Sequence, residues 1–519
     1  MFVLESKNKE TDSYIHAALR LCQSYARSLG LLASVLLAVL LVLSPINLIW
    51  AVLVGAIFCV AAWGVIRYPV LVIPAVLLSA PLAAYEARAG LPIIGRLPIA
   101  TGQIIFLGAV FVWLISWLIR KEKALPAARS FTWLLGFSGV MLLTVLSARS
   151  TADGGKEVVK LIQMGVMMLI SLDLVSQTTR DWERPENGVW LLLGFVVLAG
   201  LSQAAIGLSQ FLAADGPPSF QILGRFYRAF GTFEQPNPFG GYMAWQTVLL
   251  IGVCLPQLWT IALRFLGLSH ENDQEDQLLS WPILIVLFVA TGLVAGGLIA
   301  SWSRGAWLAA VAGCGAMAFF LPRQRKYGVA LIFVGLLSLF LIFQAGLLPA
   351  SIADRLASST EIEFSDLRDQ EISPTNFAVL ERQAFWQAAF GMFESRVWLG
   401  VGYGNYDAAY ADYFVGPWER SLGHAHNYYI NLLAETGILG LIAYLVFWGA
   451  IAWHMIRALP GLSLSQRGLA LGLMGIWVAL ATHHLVDKLY VNNNWLTLGV
   501  FLALQELLIA RNVMIQEEF

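Results

Sequence analysis

The chain has 519 residues, of which 58% are hydrophobic and only 13% are charged. Soluble globular domains carry about a quarter charged residues, so this composition excludes that class and is typical of an integral membrane protein. The formal net charge of −1 gives no basis for binding nucleic acid.

Long charge-free runs predict the transmembrane helices. Because a helix needs roughly 20 apolar residues to cross a bilayer, we predict about 14 spans. These spans cover residues 28–44, 46–66, 68–84, 100–119, 130–148, 158–176, 189–213, 239–260, 281–301, 305–322, 328–347, 431–456, 468–486 and 490–510. The predicted fold class is therefore all-α: a polytopic integral membrane helical bundle with one large extracytoplasmic loop that contains an amphipathic helix.

The spans divide the chain into four segments. Residues 1–27 form a polar cytoplasmic tail, and the first apolar run lacks a small-residue cleavage site, so we read it as a retained span. Residues 28–186 hold the N-terminal helices, and 187–460 form a core that includes the outer loop 348–424. Residues 461–519 hold the last helices and a short tail.

Basic residues predict the orientation. With the N-terminus inside, the short inner segments hold roughly twice as many Lys and Arg residues as the short outer ones, which favours cytoplasmic N- and C-termini. The loop 214–238, the turn Ser301–Gly305 and the loop 348–424 are then extracytoplasmic. The four cysteines lie in or beside spans, so we expect free thiols at Cys22, Cys59, Cys254 and Cys314.

A His-x-His pair and an Asn stand where the long outer loop enters an apolar helix, at His424, His426 and Asn427. Imidazole titrates near neutral pH, so it can take a proton from a hydroxyl group or hold a metal. Two histidines that merely cap a helix at the membrane interface are the alternative interpretation.

Arginines lie on the same side. Arg225 and Arg228 belong to the loop 214–238, which ends in a predicted turn at Asn237–Pro238, and Arg304 stands alone between two apolar runs. An arginine there is costly unless it snorkels, pairs or faces a polar cavity, so Arg304 is a site candidate. A structural role stays open for each of the three.

Within the long outer loop, residues 377–397 have apolar residues at a helical period and predict an amphipathic helix. Its aromatic side chains could rest at the headgroup level and gate the entry of a lipid substrate, which predicts that serine at Phe385 and Phe393 weakens use of that lipid but spares folding. The side chains expected at the headgroup level are Phe385, Trp386, Phe390 and Phe393. The glycines Gly400, Gly402 and Gly404 lack the strand–turn–helix context of a nucleotide loop and predict a tight turn instead.

The His-Asn pair opens a pattern that resembles the O-antigen ligase superfamily of membrane glycan transferases. The ligase signature of that family is His, then Asn, Ser or Gln, nine residues, Gly, two residues, and Gly, Thr or Tyr. In this chain it corresponds to His426, Asn427, residues 428–436, Gly437 and Gly440.

Two further features strengthen the resemblance, which covers roughly residues 190–450. One is an Arg-x-x-Gly segment before a Pro-Asn pair, and the other is Ser-Arg-Gly between two spans. They consist of Arg228, Gly231, Pro236 and Asn237, and of Ser303, Arg304 and Gly305.

The resemblance implies transfer of a glycan from a polyprenyl pyrophosphate to an acceptor hydroxyl on the extracytoplasmic (periplasmic) side of the bacterial cytoplasmic (inner) membrane. His426 would be the base, and Arg228 and Arg304 would clamp the pyrophosphate. The implied substrate-binding residues are Arg225, His424, Asn427 and Glu435. Glu435 lies about two and a half turns beyond His426, so helix packing or a supporting role is favoured for it. The implied partners are the lipid-linked glycan donor, a glycan or lipid A-core type acceptor, and membrane lipids.

Alternative readings stay open at this point. Within the same family, a ligase moves a finished glycan, whereas a polymerase joins carrier-linked repeat units. A transporter is a third reading, although the polar residues gather at one face rather than at the midplane. His424, His426, His483, His484 and Asp487 could form a zinc site. Because arginines already supply positive charge and the short outer loops lack Asp-x-Asp, we expect a metal-independent transferase without a cofactor.

Overall fold

The computed structural model describes residues 60, 62–82, 101–120, 126–182, 187–233, 235–265, 280–357 and 377–517. The chain divides into two compact units, Met1–Pro69 and Val70–Phe519, and the second is described below. The predicted tail 1–27, the span 28–44 and most of the span 46–66 lie outside the described residues.

Helices make up most of the second unit over its described residues. In chain order they are α1 Val72–Ser79, α2 Thr101–Ile119, α3 Arg129–Val145, α4 Thr151–Asp181, α5 Gly188–Ala213, α6 Pro236–Phe265, α7 Trp281–Ala300, α8 Arg304–Phe320, α9 Arg325–Gln344, α10 Ala350–Ala357, α11 Phe377–Ser395, α12 Tyr406–Tyr410, α13 Tyr428–Ala458, α14 Leu464–His483 and α15 Asn494–Glu517. A two-stranded hairpin, β1 Gln221–Ile222 and β2 Phe226–Tyr227, lies between α5 and α6.

Among the described residues, eight helices are long and apolar enough to cross a membrane: α2, α4, α5, α6, α7, α9, α13 and α14. Four shorter apolar helices accompany them, α1, α3, α8 and α15. Each predicted span from 100–119 onward coincides with one helix, which confirms the all-α polytopic fold. The span predicted at 68–84 contains the eight-residue α1, too short to cross alone. The total of 14 spans stays a prediction.

Small residues allow the central helices to pack closely. A Cβ atom added to Gly252 of α6 would lie 2.3 Å from the Cα of Gly472 of α14. A Cβ added to Gly313 of α8 would lie 2.7 Å from the carbonyl oxygen of Gly475, also in α14. Such contacts are typical of membrane helices, where small residues let backbones approach. The close fit of α6, α8 and α14 fixes the positions of the loops at their ends.

Several loops meet at one end of this bundle. The backbone N–H of Ala229, after the hairpin, donates to the carbonyl of Ala300 at the end of α7 (2.8 Å). The N–H of Tyr428, at the start of α13, donates to the carbonyl of His484 after α14 (2.8 Å). The turn predicted at Asn237–Pro238 is wrong: these residues form the first turn of α6, where prolines are tolerated because the first helical N–H groups have no partner within the helix.

The helix α11 packs on α13 and buries its apolar face, which includes Leu380, Ala384 and Phe385. Phe385 is 0% exposed and lies in a cluster with Tyr406 and Tyr410. The prediction that Phe385 rests at the headgroup level is therefore wrong. The physical reason is that the segment after α11 folds back over this face of the helix and covers it.

Tight glycine turns join α11 to α13. Gly400 has φ +61°, and an added Cβ would lie 2.3 Å from the carbonyl carbon of Glu435, so the predicted tight turn is confirmed. Gly437 interrupts α13 at φ +61° and ψ −162°, where an added Cβ would lie 2.4 Å from the carbonyl carbon of Trp398. The kink lets Ile438 N–H donate to the carbonyl of Val397 (2.9 Å).

Candidate functional site

His426 occupies the residue immediately before the N-cap of α13. The side-chain oxygen of Asn427 accepts hydrogen bonds from the N–H groups of Tyr429 (3.0 Å) and Ile430 (3.1 Å) and so caps the helix. His426 itself has φ +49°, a left-handed conformation that costs a non-glycine residue about 1–3 kcal/mol. The cap and its helix hold His426 in this strained position.

Two aromatic contacts orient the imidazole ring. The ring stacks on Phe385 of α11, with centroids 5.8 Å apart and planes at 23°, and meets the ring of His424 edge-on at 4.3 Å. The indole N–H of Trp386 donates to the carbonyl of Ala425 (2.9 Å), which ties the histidine segment to α11. The amphipathic helix therefore supports the back of the site.

Asp487 lies beside both histidines. Its Oδ1 is 3.6 Å from Nδ1 of His426 and 3.8 Å from Nε2 of His424. Burial opposes ionisation of this carboxyl, yet the neighbouring His426 and His424 hold the pKa of Asp487 below its usual range. Burial lowers the pKa of His424 to about 3, so this ring is neutral at neutral pH.

Asp487 is also connected to an arginine. Its Oδ2 accepts a hydrogen bond from the amide nitrogen of Asn237 (3.1 Å), and Oδ1 of Asn237 accepts one from Nη2 of Arg228 (2.7 Å). The Nε of Arg228 donates to the carbonyl of Ser301 (2.9 Å). Burial, together with Arg355 and Arg304, lowers the pKa of Arg228 to about 10. This pKa is still well above neutral pH, so the guanidinium remains charged. A hydrogen-bonded path thus joins Arg228 to Asp487, and Nδ1 of His426 lies 3.6 Å from that carboxylate.

Arg304 begins α8 beside the same turn. Ser303 caps this helix by accepting the N–H of Ala306 (3.4 Å), and Nη1 of Arg304 lies 3.5 Å from the carbonyl oxygen of Arg355. The Nη2 of Arg355 lies 3.5 Å from the carbonyl oxygen of Trp302. The predicted clamp residues Arg228 and Arg304 are therefore brought together, with a third arginine from the outer loop beside them.

The histidine–aspartate cluster is compact enough for a cation, because candidate ligand atoms of His424, His426 and Asp487 lie within 4.8 Å of one another. Nδ1 of His424 accepts the backbone N–H of His426 (3.0 Å), so in the neutral ring the proton is on Nε2. That nitrogen faces Asp487 and can donate to the carboxylate, but it cannot ligate a metal while protonated. This geometry favours a hydrogen-bonding role for the cluster.

Two other histidines of the proposed zinc set stand outside this compact group. Both His483 and His484 are buried. Nδ1 of His484 shares a hydrogen bond with the hydroxyl of Tyr444 (2.8 Å), and its ring lies 4.6 Å from that of Tyr428. The compact metal-sized group among the described residues contains neither of them.

The remaining candidates lie further out or have structural roles. Arg225 is exposed on the hairpin, with its guanidinium 4.6 Å above the ring of Phe226. Glu435 is buried and accepts the N–H groups of Gly404 (3.0 Å) and Tyr406 (3.1 Å), so it fixes the glycine turn. Substrate binding by Arg225, Asn427 and Glu435 stays a prediction.

The contacts of three residues in this arrangement were not predicted. Asp487 was expected only as a metal ligand, although an ionisable residue at the outer end of a span is itself a signal. Asn237 was expected in a turn, and it also belongs to the Pro-Asn pair that carries the resemblance. Arg355 gave no signal, since it stands among other charged residues of the long loop.

Residues 289–445 match the family model of the O-antigen ligases. None of the curated proteins compared with the chain matches it. The matched segment contains Arg304, Arg355, His424 and His426, whereas Arg228, Asn237 and Asp487 lie outside it. The chain therefore contains a segment similar to the O-antigen ligase domain, and its described residues include eight helices long and apolar enough to cross a membrane.

Proposed function

We propose that the protein transfers a glycan from a polyprenyl-pyrophosphate carrier to an acceptor hydroxyl at the extracytoplasmic face of the inner membrane. The observation that carries this proposal is the hydrogen-bonded path Arg228–Asn237–Asp487, with Nδ1 of His426 3.6 Å beyond it. The proposal is supported because this path links a guanidinium, which suits phosphate, to a carboxylate beside an imidazole, which suits a hydroxyl proton, in a chain whose residues 289–445 match the O-antigen ligases.

His426 acts as the general base. With a proton on Nδ1 facing Asp487, its Nε2 is free to accept the proton of the acceptor hydroxyl, and Asp487 stabilises the imidazolium that forms. The contact of 3.6 Å is longer than a hydrogen bond, and catalytic contacts often shorten when substrate binds. The acceptor oxygen then bonds to the anomeric carbon of the donor sugar.

Arg228 and Arg304 hold the pyrophosphate. As the new bond forms, the bond between the anomeric carbon and the phosphate oxygen breaks, and its electron pair stays on the pyrophosphate. This leaving group is stable, so little general-acid help is needed. A guanidinium stays charged and can donate two parallel hydrogen bonds to phosphate oxygens, which a lysine cannot do. Positive charge thus comes from side chains, and a chelator should leave the activity unchanged.

A transfer assay tests this function and separates ligase from polymerase. Purified protein in lipid nanodiscs is mixed with labelled polyprenyl-pyrophosphate glycan, with and without a separate lipid A-core type acceptor. We expect the label to move to the acceptor, as the O-antigen ligase match favours. Growth of the carrier-linked glycan without an acceptor would instead identify a polymerase of the same family, and no transfer in either mixture would contradict the proposal.

Asp487→Asn tests the path itself. The amide keeps the size of the side chain but removes the charge that orients and stabilises the His426 imidazolium. We expect transfer to fall by about 100-fold or more, in the range of general-base assistance, while donor binding and thermal stability change little. Asp412→Asn is the control, since Asp412 is an exposed carboxylate paired with Arg149 outside the path.

A further inference from the structure

A buried cluster of charged side chains lies next to the site, and the mechanism proposed above does not use it. Lys488 follows Asp487 directly, in the loop between α14 and α15, and its Nζ lies 3.4 Å from Oε2 of Glu157 near the start of α4. Oε1 of Glu157 pairs with Lys160, one turn further along the same helix. The side chains of Lys488 and Glu157 are only 11% and 14% exposed. Their ion pair is therefore largely shielded from solvent.

The surroundings of Lys488 favour a charged ammonium group in a fixed position. Burial alone would lower the pKa of Lys488, but the carboxylates of Glu157 and Glu435 raise it above its usual value. Glu157 is held against the glycine turn, where a Cβ added to Gly404 would lie 2.6 Å from its Cγ. Glu435 accepts the N–H of the same glycine (3.0 Å). Because a buried charge needs close partners of opposite sign, Lys488 has little freedom to move away from these carboxylates.

The position of Lys488 is coupled to Asp487 through one peptide group. The backbone N–H of Lys488 donates to Oδ1 of Asp487 (2.8 Å), and the same oxygen lies 3.6 Å from Nδ1 of His426. The other oxygen, Oδ2, accepts the side-chain amide of Asn237 (3.1 Å). Each oxygen of the carboxylate thus has a contact that orients it. The contact on the oxygen that faces His426 depends on where the backbone of Lys488 lies.

We propose that Lys488 and Glu157 are positioning residues, whose ion pair fixes the peptide group that orients the Asp487 carboxylate toward His426. The inference rests on the function proposed above, in which Asp487 stabilises the imidazolium that forms on His426. A displacement of about 1 Å at a group far from the chemistry can lower a rate by about 100-fold. The α4 helix therefore supports catalysis, although the proposed base and phosphate-binding arginines lie on other segments.

Lys488→Met tests the ion pair, because it removes the ammonium group and keeps an unbranched side chain. We expect kcat for glycan transfer to fall by about 10- to 100-fold, with KM for the donor changed by less than about twofold. The donor affinity should hold because Arg228 keeps its own hydrogen bond to the Ser301 carbonyl (2.9 Å). Lys156→Met is the matched control. Lys156 lies on α4 and pairs with Asp153, but its side chain is 73% exposed, so this variant should behave as wild type.

Combining Lys488→Met with Asp487→Asn separates positioning from a structural role. If Lys488 acts through Asp487, then Lys488→Met should add less than about threefold to the loss of kcat in Asp487→Asn, because the effects of coupled residues do not multiply. A pair that only stabilises the fold would lower kcat by the same factor with and without Asp487→Asn. Wild-type kcat in Lys488→Met, or full multiplication of the two losses, would overturn the inference.

A double variant covers the case in which Lys488→Met fails to fold, since removing one partner of a buried ion pair leaves the other charge uncompensated. Glu157→Gln with Lys488→Met removes both charges of the pair, and it should show the same loss of kcat. Wild-type kcat in this variant would refute the role.

Failure of the parent proposal gives a different result, because wild-type protein would then transfer no glycan. Amide hydrogen exchange would still report on the ion pair. Residues 484–493, between α14 and α15, should exchange faster in the double variant than in Lys156→Met. Equal exchange in the two proteins would show that the pair does not fix this loop and would refute the inference.

Discussion

Single residues of the site are held by contacts from several directions. His426 has a strained backbone, a capped helix below it, Phe385 behind its ring and Asp487 at its Nδ1. Strain of this kind persists only where the surroundings fix the conformation, and it is concentrated at functional sites. The surroundings of His426 thus support the proposal that it is the reacting base.

His426→Ala should abolish transfer while the protein still inserts and binds donor. General-base assistance is worth about 100- to 10,000-fold, so the rate should fall by at least about two orders of magnitude in the transfer assay. His424→Ala is the matched control and should be milder, because His424 faces the same carboxylate without carrying the proton in transfer. An inactive His424 variant beside an active His426 variant would refute the assignment.

Arg304→Lys distinguishes a phosphate clamp from a snorkelling side chain. Lysine keeps the charge but loses the planar fork, so a clamp should be impaired nearly as much as in Arg304→Ala. An arginine that only reaches for water would tolerate lysine. Donor titrations of the three proteins make the comparison, and wild-type kinetics for Arg304→Lys would argue against the clamp.

At the scale of elements, α11 and α13 pack against each other and together support the site. Gly437 breaks α13 where the chain after α11 crosses it, and Glu435 binds the glycine turn from within α13. Gly437 belongs to the ligase signature. The backbone at Trp398 approaches it too closely for any side chain, so glycine is required here by packing rather than by a chemical role. The two helices therefore position His426 through its cap and through Phe385.

Phe385→Ala should destabilise the protein, because the Phe385 side chain is fully buried. Loss of a buried Phe costs about 3–5 kcal/mol, and here it also removes the stack under His426. Phe390→Ala, at a position 44% exposed on the same helix, should be close to wild type. Thermal unfolding in detergent measures both variants, and equal stabilities would contradict the buried position of Phe385.

At the scale of the whole molecule, the site is assembled from widely separated segments. Arg228 and Asn237 precede α7, Arg304 begins α8, and Asp487 follows α14. All lie at one end of a bundle in which α6, α8 and α14 pack closely. The proposed reaction requires that this end of the bundle lie on the side of the membrane where the donor is presented. The proposed function therefore depends on the orientation of the protein in the membrane.

Cysteine labelling tests that orientation. In a background without the four native cysteines, a cysteine at position 365, outside the described residues, should react with a membrane-impermeant reagent in intact cells. A cysteine at position 325 should react only after permeabilisation, because the basic residues around it favour the cytoplasm. The reverse pattern would refute both the orientation and extracytoplasmic chemistry.

The sequence by itself determined the helices and identified the candidate base. Charge-free runs define spans because the bilayer leaves no other way to satisfy the backbone, so the predicted bounds from 100–119 onward coincide with helices. The α4 helix begins earlier than predicted, at Thr151, because Ser150 caps a polar first turn that hydropathy does not register. His426, Arg228 and Arg304 were identifiable because polar groups at a span end are rare and costly.

Only the tertiary structure decided which groups touch. Asp487 and Asn237 are 250 residues apart and meet because α6 and α14 pack side by side, a contact that no local pattern encodes. Burial of Phe385 depends on the chain that folds over α11, so helical periodicity alone placed it on the wrong surface. Arg355 lies beside the turn between α7 and α8 because its side chain contacts the main-chain carbonyl of Trp302, 53 residues earlier. Pairing across such distances is set by helix packing, since local propensity and hydrophobic period carry no information about which ends meet.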